Sequence, residues 1–220
     1  MKIAVLYDNT ALEGFNSGWA FSCLIEAHGK KLLFDTAWDG YRLVQNMKKL
    51  GIEPTAIDAI FISHNHWDHA GGLAYLLNLT GTIPVFVPCS FSEHLKTEIS
   101  NMAKLVEINE AVKIMDGFYS TGELGSDIKE QSLVVKTAEG GNILVCGCSH
   151  PGVENIMETA GLFGPICGIV GGLHDFKKIE VLNGLKLTVP CHCTRKKKEI
   201  MDLYPNSCKA GMAGMVFDLL

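Results

Sequence analysis

The segment His64-Asn65-His66-Trp67-Asp68-His69 places three imidazoles and a carboxylate in six consecutive positions. Neutral imidazole and ionised carboxylate are common protein ligands for zinc and other divalent ions, and four of them this close together are hard to explain as packing. A single histidine more often caps, packs or faces solvent; the density argues for metal. A strand-like run, Asp58 to Ser63, leads into the segment, and Gly71-Gly72 followed by the apolar run Leu73 to Leu77 leads out. The ligands are therefore expected where a strand ends and a helix begins. In extended backbone, side chains at i and i+2 share a face, so His64 and His66 can hold one ion together. Asp68 and His69, at the helix start, project elsewhere and can hold a second.

With its surroundings the segment resembles the metallo-β-lactamase superfamily, whose signature is H-x-H-x-D-H. All four ligand positions match, with Ser63 before them and Ala70-Gly71-Gly72-Leu73 after. Leu32 to Thr36 looks like the superfamily strand that ends in Asp-Thr-Gly, although Ala37 replaces the glycine. Gly147-Cys-Ser-His-Pro-Gly152, Gly171-Gly-Leu-His174 and Pro190-Cys-His-Cys-Thr194 resemble one subgroup. It includes the archaeal enzyme of methanopterin biosynthesis that joins a dihydropterin to ribofuranosyl-aminobenzene phosphate. The resemblance runs from about residue 16 to 194. It implies an αββα sandwich of two mixed sheets flanked by helices.

The remaining ligands follow from the same resemblance. Carried over by motif, His150 completes the position of His64 and His66, and His192 joins Asp68 and His69. His150 and His192 both end strand-like runs, where functional side chains commonly sit. His174, on its own Gly-Gly loop, is read as a substrate contact or proton donor, with a structural role as the alternative. Many superfamily members carry a bridging Asp where this chain has Cys148. Along an extended stretch Cys146, Cys148 and His150 share a face, so a Cys148 thiolate is a candidate ligand; otherwise Asp175 or water fills the bridging place, or one ion binds tightly. The thiols of Cys191 and Cys193 are expected to point away from His192, and with Cys146 they read as small buried residues. Asp35 is expected to support a ligand imidazole or to serve as a strand-end turn residue. His28 and His94 read as solvated surface residues.

One or two zinc ions are the expected cofactor, with iron or manganese also suited to this donor set. Zinc lowers the pKa of its bound water to about 7. The expected activity is thus hydrolysis of a small anionic metabolite by a metal-bound hydroxide, with Asp68 orienting it and His174 serving the substrate. The subgroup motifs imply a pterin-condensing transferase as the alternative. A non-enzymatic metal or redox sensor built on the Cys-x-Cys-x-His run is a third reading. Arg195-Lys196-Lys197-Lys198 follows His192 directly and reads either as a phosphate contact at the site mouth or as the solvated face of a helix.

These residues need a frame to bring them together. Strand-like runs at 19–26 and 31–35 flank a turn at His28-Gly29. A helix is expected from Asp39 to Leu50, capped by Asp39 and stopped by Gly51. Strand 58–63 and helix 72–79 hold the ligand segment, followed by strand 83–87 and helix 90–100. A hairpin-like pair spans 131–137 and 142–146. Helices at 151–160, 177–183 and 195–204 alternate with strands at 165–170, 185–190 and 215–218. At 220 residues, 47% hydrophobic and 20% charged, the chain is expected to form a single domain over 1–220 with a substantial core. A net charge of −5 with scattered basic residues argues against a nucleic-acid partner. No apolar run reaches the roughly eighteen residues of a membrane span, and the apolar start is too short for an export signal. The eight cysteines are then expected to be cytoplasmic thiols.

Overall fold

The computed structural model describes residues 1–219 as two mixed β-sheets packed face to face between helices. Strands β1 (Lys2–Tyr7), β2 (Ser22–Ala27), β3 (Lys30–Phe34), β4 (Ala59–Phe61), β5 (Pro84–Pro88) and β6 (Lys104–Ile108) form the first sheet with β13 (Val216–Asp218), in the order β13-β1-β2-β3-β4-β5-β6. The second sheet contains β7 (Val112–Met115), β8 (Phe118–Ser120), β9 (Leu133–Lys136), β10 (Asn142–Cys146), β11 (Ile166–Gly172) and β12 (Leu187–Cys191), in the order β12-β11-β10-β9-β8-β7. Each sheet is antiparallel on one side and parallel on the other. Pairing is parallel from β3 through β6 and from β10 through β12.

The alternation of apolar side chains explains the layering. Val5, Ile25, Leu32, Phe34 and Phe61 of the first sheet meet Leu133, Val135, Ile143, Val145 and Val189 of the second between the sheets. Their neighbours one position along face outward. Leu6, Leu24, Leu33 and Ile60 pack under the helices α1 (Gly40–Lys49) and α3 (Leu73–Thr80), while Val134, Leu144 and Ile169 pack under α5 (Val153–Ala160) and α6 (Lys197–Leu203). Two-faced burial of this kind is what makes the central strands continuously apolar. The remaining helices are the short α2 (Trp67–Ala70) and α4 (Glu93–Met102).

Asp39 caps α1 as expected, its side chain accepting from the Arg42 amide. Helix α4 starts later than expected because Ser92 is the residue that caps it, accepting from the Leu95 amide. The expected helix at 177–183 is instead a single 3₁₀ turn, Ile179–Leu182. Its buried residues Ile179, Leu182 and Leu185 recur every three positions, the period of the tighter helix.

Candidate metal centre

Parallel strands bring their carboxyl ends to one side of the molecule, and open α/β sheets bind ligands there. Asp35 follows β3, the His64-to-His69 segment follows β4, Cys148 and His150 follow β10, His174 follows β11, and His192 and Cys193 follow β12. His64 lies with its ring centroid 4.5 Å from His66 and 5.0 Å from His150, and His66 is 5.0 Å from His150. One donor atom from each of these three residues lies within 4.8 Å of the others. The same holds for Asp68, His69 and His192, for His64, His69 and Cys148, and for Cys148, His192 and Cys193. All the expected ligands therefore come together in one cleft. His174 stands at its edge, half-buried, 5.2 Å from the His150 ring.

The outward ring nitrogens are fixed by hydrogen bonds. Nδ1 of His64 is 2.9 Å from Ser63 Oγ, Nδ1 of His69 is 2.7 Å from Asp35 Oδ2, and Nδ1 of His192 is 3.0 Å from Asn9 Oδ1. Ser63 Oγ in turn donates to Asp35 Oδ2 at 2.8 Å, and the Ser63 amide donates to Asp35 Oδ1. Because Ser63 gives its hydroxyl proton to Asp35, it accepts from His64, so the Nδ1 positions carry the protons and the Nε2 lone pairs point inward. Asp35 thereby orients two ligand rings, the supporting role expected of it.

These donors fit a divalent ion. The Nε2 atoms of His64, His150 and His192 are buried with no hydrogen-bond partner, although His192 Nε2 passes 3.2 Å from Asp68 Oδ2. Unpartnered buried polar atoms are costly, and those of His64 and His150 converge with a donor of His66. The surroundings are also rich in carboxyl groups: Asp8, Asp35 and Glu130 are fully buried and Asp68 nearly so. Burial and the neighbouring rings hold His64 well below the ordinary imidazole range, and His150 is pushed down to about 4 for the same reasons. Burial also lowers His66 and His192. Such rings stay neutral, the form that ligates metal. His69 differs: burial opposes its protonation, but the charge and hydrogen bond of Asp35 outweigh this and raise it.

Sharp turns at the strand ends aim the donors. Asp35, Ala37, Ser149, His174 and His192 all have positive φ, an uncommon conformation for residues with a side chain. Ala37, with φ of 55°, occupies the left-handed conformation for which its expected glycine is suited. Gly72 is required by close approach, since a Cβ there would lie 2.2 Å from the Thr36 carbonyl oxygen.

Several expectations need correction. Cys146 does not share a face with Cys148 and His150. It packs in the outer core with Leu144 and Val153, because Gly147 and the left-handed Ser149 break the alternation beyond β10. Burial pushes its thiol up to about 12. Cys193, expected to turn away from His192, brings its sulfur to His192 and Cys148, because the left-handed turn at His192 reverses the chain. Hydrogen bonding within the Cys148–Cys193 pair holds the proton on Cys148 and lowers Cys193. Asp175 does not reach the bridging place; its half-exposed carboxylate pairs with Arg195 at 3.3 Å. The basic run is neutralised residue by residue, Lys196 by Glu199, Lys197 by Asp8 and Lys198 by Asp202. His28 is exposed yet tied to the second sheet, 2.9 Å from the Lys136 carbonyl oxygen.

Three supporting residues escaped the sequence reading. Glu130 accepts from the consecutive amides of Gly147, Cys148, Ser149 and His150 at 2.9–3.1 Å and so shapes the loop that carries two candidate ligands. Nothing local marks it, for it lies in an irregular run. Asp8 accepts from the His192 amide, and Asn9 holds both the carbonyl and the ring of His192. Their signal was an acidic-polar pair immediately after the first strand.

Fold, donor geometry and sequence agree with one another, and the chain is similar to members of the metallo-β-lactamase superfamily. Residues 20–99 match the profile of the metallo-beta-lactamase superfamily. The chain is 27% identical to 7,8-dihydropterin-6-methyl-4-(beta-D-ribofuranosyl)-aminobenzene-5'-phosphate synthase of Methanocaldococcus jannaschii, over 91% of this chain and 90% of that one. Among solved structures it is similar to a metal-dependent hydrolase of the beta-lactamase superfamily, with TM-score 0.82, 27% identity, and coverage of 100% of this chain and 99% of the other. The zinc-bound PqqB of Methylobacterium extorquens shares the fold at TM-score 0.66 and 13% identity, over all of both chains.

Proposed function

We propose that this protein is a metal-dependent hydrolase of a small anionic metabolite. The observation that carries the reading is the convergence of His64, His66 and His150, two of them with buried Nε2 atoms that have no hydrogen-bond partner. These three residues would hold one ion, and Asp68, His69 and His192, with Cys148, a second. Zinc is the favoured ion for a donor set rich in imidazole, and when bound it would polarise the substrate and supply hydroxide near neutral pH. Asp68 belongs to the second group, with Oδ2 3.2 Å from His192 Nε2. His192 and His69 hold its carboxyl below the usual range against the effect of burial, so it stays ionised and can orient an attacking water. His174 borders the cleft beside His150 on a separate loop, placed to touch the substrate or protonate its leaving group. Trp19, more than half exposed with its ring 4.9 Å from that of His192, provides an apolar wall beside the polar centre.

A second reading, a pterin-condensing synthase, is favoured by the similarity to the Methanocaldococcus protein along most of both chains. One experiment separates the two. Protein purified without added metal is analysed for bound ions, then assayed for turnover on phosphodiesters, lactones, thioesters and pterins. Metal-dependent hydrolysis of one class, abolished by chelation and restored by zinc, is the expected result. Condensation of a dihydropterin without hydrolysis of any substrate would replace the first reading by the second.

A further inference from the structure

The two groups of donors differ in kind. His64, His66 and His150 offer nitrogen alone. Cys148 Sγ is 3.2 Å from His69 Nε2 and within 4.8 Å of a donor of His64, and the sulfurs of Cys148 and Cys193 lie with a ring nitrogen of His192 within 4.8 Å of one another. All of these residues are buried, none more than 8% exposed. The two cysteines come from loops after β10 and β12, which are not neighbours; β11 runs between them. They meet over Gly172 at the end of β11. A Cβ there would lie 2.3 Å from the Gly147 carbonyl oxygen and 2.7 Å from Cys193 Sγ, so the missing side chain leaves room for the β10 loop to approach and for the Cys193 sulfur. His192 Nε2, aimed into the same space, is buried with no hydrogen-bond partner.

We propose that Cys193 serves as a metal ligand, forming with Cys148 and His192 a sulfur-containing position, next to Asp68 and His69, beside the all-histidine position of His64, His66 and His150. The proposal rests on the metal-dependent reading above. Two thiolates and one imidazole leave a fourth place within reach of Asp68 or His69, which would close the set as in structural zinc sites, whereas three imidazoles leave a fourth place open. The two positions therefore divide their work: the sulfur position holds the loops after β4, β10 and β12 together, and the histidine position, open toward His174, meets the substrate. The two thiolate charges would balance those of a divalent ion. Sulfur donors also give this position a preference for thiophilic ions over magnesium or calcium.

Cobalt(II) tests this, because thiolate bound to cobalt absorbs in the near ultraviolet and imidazole does not. Chelator-stripped full-length protein is titrated with cobalt under reducing, anaerobic conditions. The expected result is a sulfur-to-cobalt band that falls by roughly half in Cys193→Ser, vanishes in the Cys148→Ser/Cys193→Ser double variant and persists in His150→Ala. Cobalt bound without such a band, or an undiminished band in Cys193→Ser, overturns the sulfur position and leaves the metal-dependent reading standing. Failure to bind cobalt at all overturns both. Should Cys193→Ser not fold, X-ray absorption on the wild-type zinc protein decides. A sulfur shell at about 2.3 Å supports the proposal, and nitrogen and oxygen alone at about 2.0–2.2 Å overturn it.

Discussion

Asp35 shows how much of a candidate metal centre lies behind its donor atoms. It touches no inward-facing donor, yet it accepts from the ring of His69 and from both the hydroxyl and the amide of Ser63, which in turn accepts from His64. Replacing it by Asn keeps the size but removes the charge that holds the His69 ring. Supporting residues of this kind typically contribute 10–100-fold in metal affinity. Asp35→Asn should therefore weaken zinc binding by that range, read by competition with a chromogenic chelator, while the fold measured by circular dichroism persists. His174 makes the contrasting prediction. It sits beside the ligands without joining any of the donor groups, so His174→Ala should retain full metal content. As a proton donor it should lower kcat by about 10²–10⁴. Full metal with an unchanged rate would remove His174 from the chemistry.

Among the structural elements, the loop between β10 and α5 depends most on a distant partner. Four consecutive amides, Gly147 to His150, point at the one buried carboxylate of Glu130, which holds Cys148 and His150 in place across the sheet. Burial raises the proton affinity of Glu130, and the amides oppose that effect. Glu130→Ala leaves those amides without an acceptor, and a buried unsatisfied group costs about 1–3 kcal/mol. The variant should lose several degrees in thermal unfolding and bind metal less tightly, with Glu130→Gln recovering part of both. The end of β3 makes a similar demand on backbone space. At Gly72 an added methyl would meet the Thr36 carbonyl at 2.2 Å, so Gly72→Ala must displace the start of α3 or the segment that bears Asp68 and His69. Its unfolding midpoint should fall even in the metal-free protein.

For the whole molecule the candidate centre couples stability to protons and, on the proposed reading, to metal. His64 and His192 are buried and His66 and His150 half-buried, all four with proton affinities below the ordinary imidazole value of about 6.5, that of His150 about 4. Between those limits the unfolded chain binds more protons than the folded one, so stability rises with pH across the window. His69 works in the opposite sense, since its raised affinity stabilises at low pH and is lost as pH climbs through its folded value. Four lowered rings against one raised ring should make the metal-free protein lose stability as pH falls from about 6.5 toward 4, read by denaturant midpoints at fixed pH. A metal that binds only the folded chain adds about 4.1 kcal/mol at a thousandfold excess over Kd. Zinc should therefore raise the thermal midpoint and blunt the acid loss until its ligands protonate. No helix among the described residues is long and apolar enough to cross a membrane.

Local order was legible in the chain because its causes are local. Apolar alternation marked the strands, Asp39 and Gly51 bounded α1, and the density of donors from His64 to His69 announced the ligand segment. Family motifs extended this to His150, His192 and Asp35, residues at strand ends whose chemistry survives without knowledge of their contacts. The failures have one physical cause. Side-chain direction follows the two-residue period only while backbone stays extended, and the left-handed turns at Ser149 and His192 reset it. The departure of Cys146 from the cleft and the arrival of Cys193 both follow from those turns. Likewise Glu130, Asp8 and Asn9 act on residues far away in sequence, through contacts that exist only once the two sheets have packed. The sequence thus determined which donors the chain owns and the layered fold that carries them. Only the tertiary structure decided which sulfur faces the centre and which carboxylates hold it, because those depend on how the backbone turns after each strand ends.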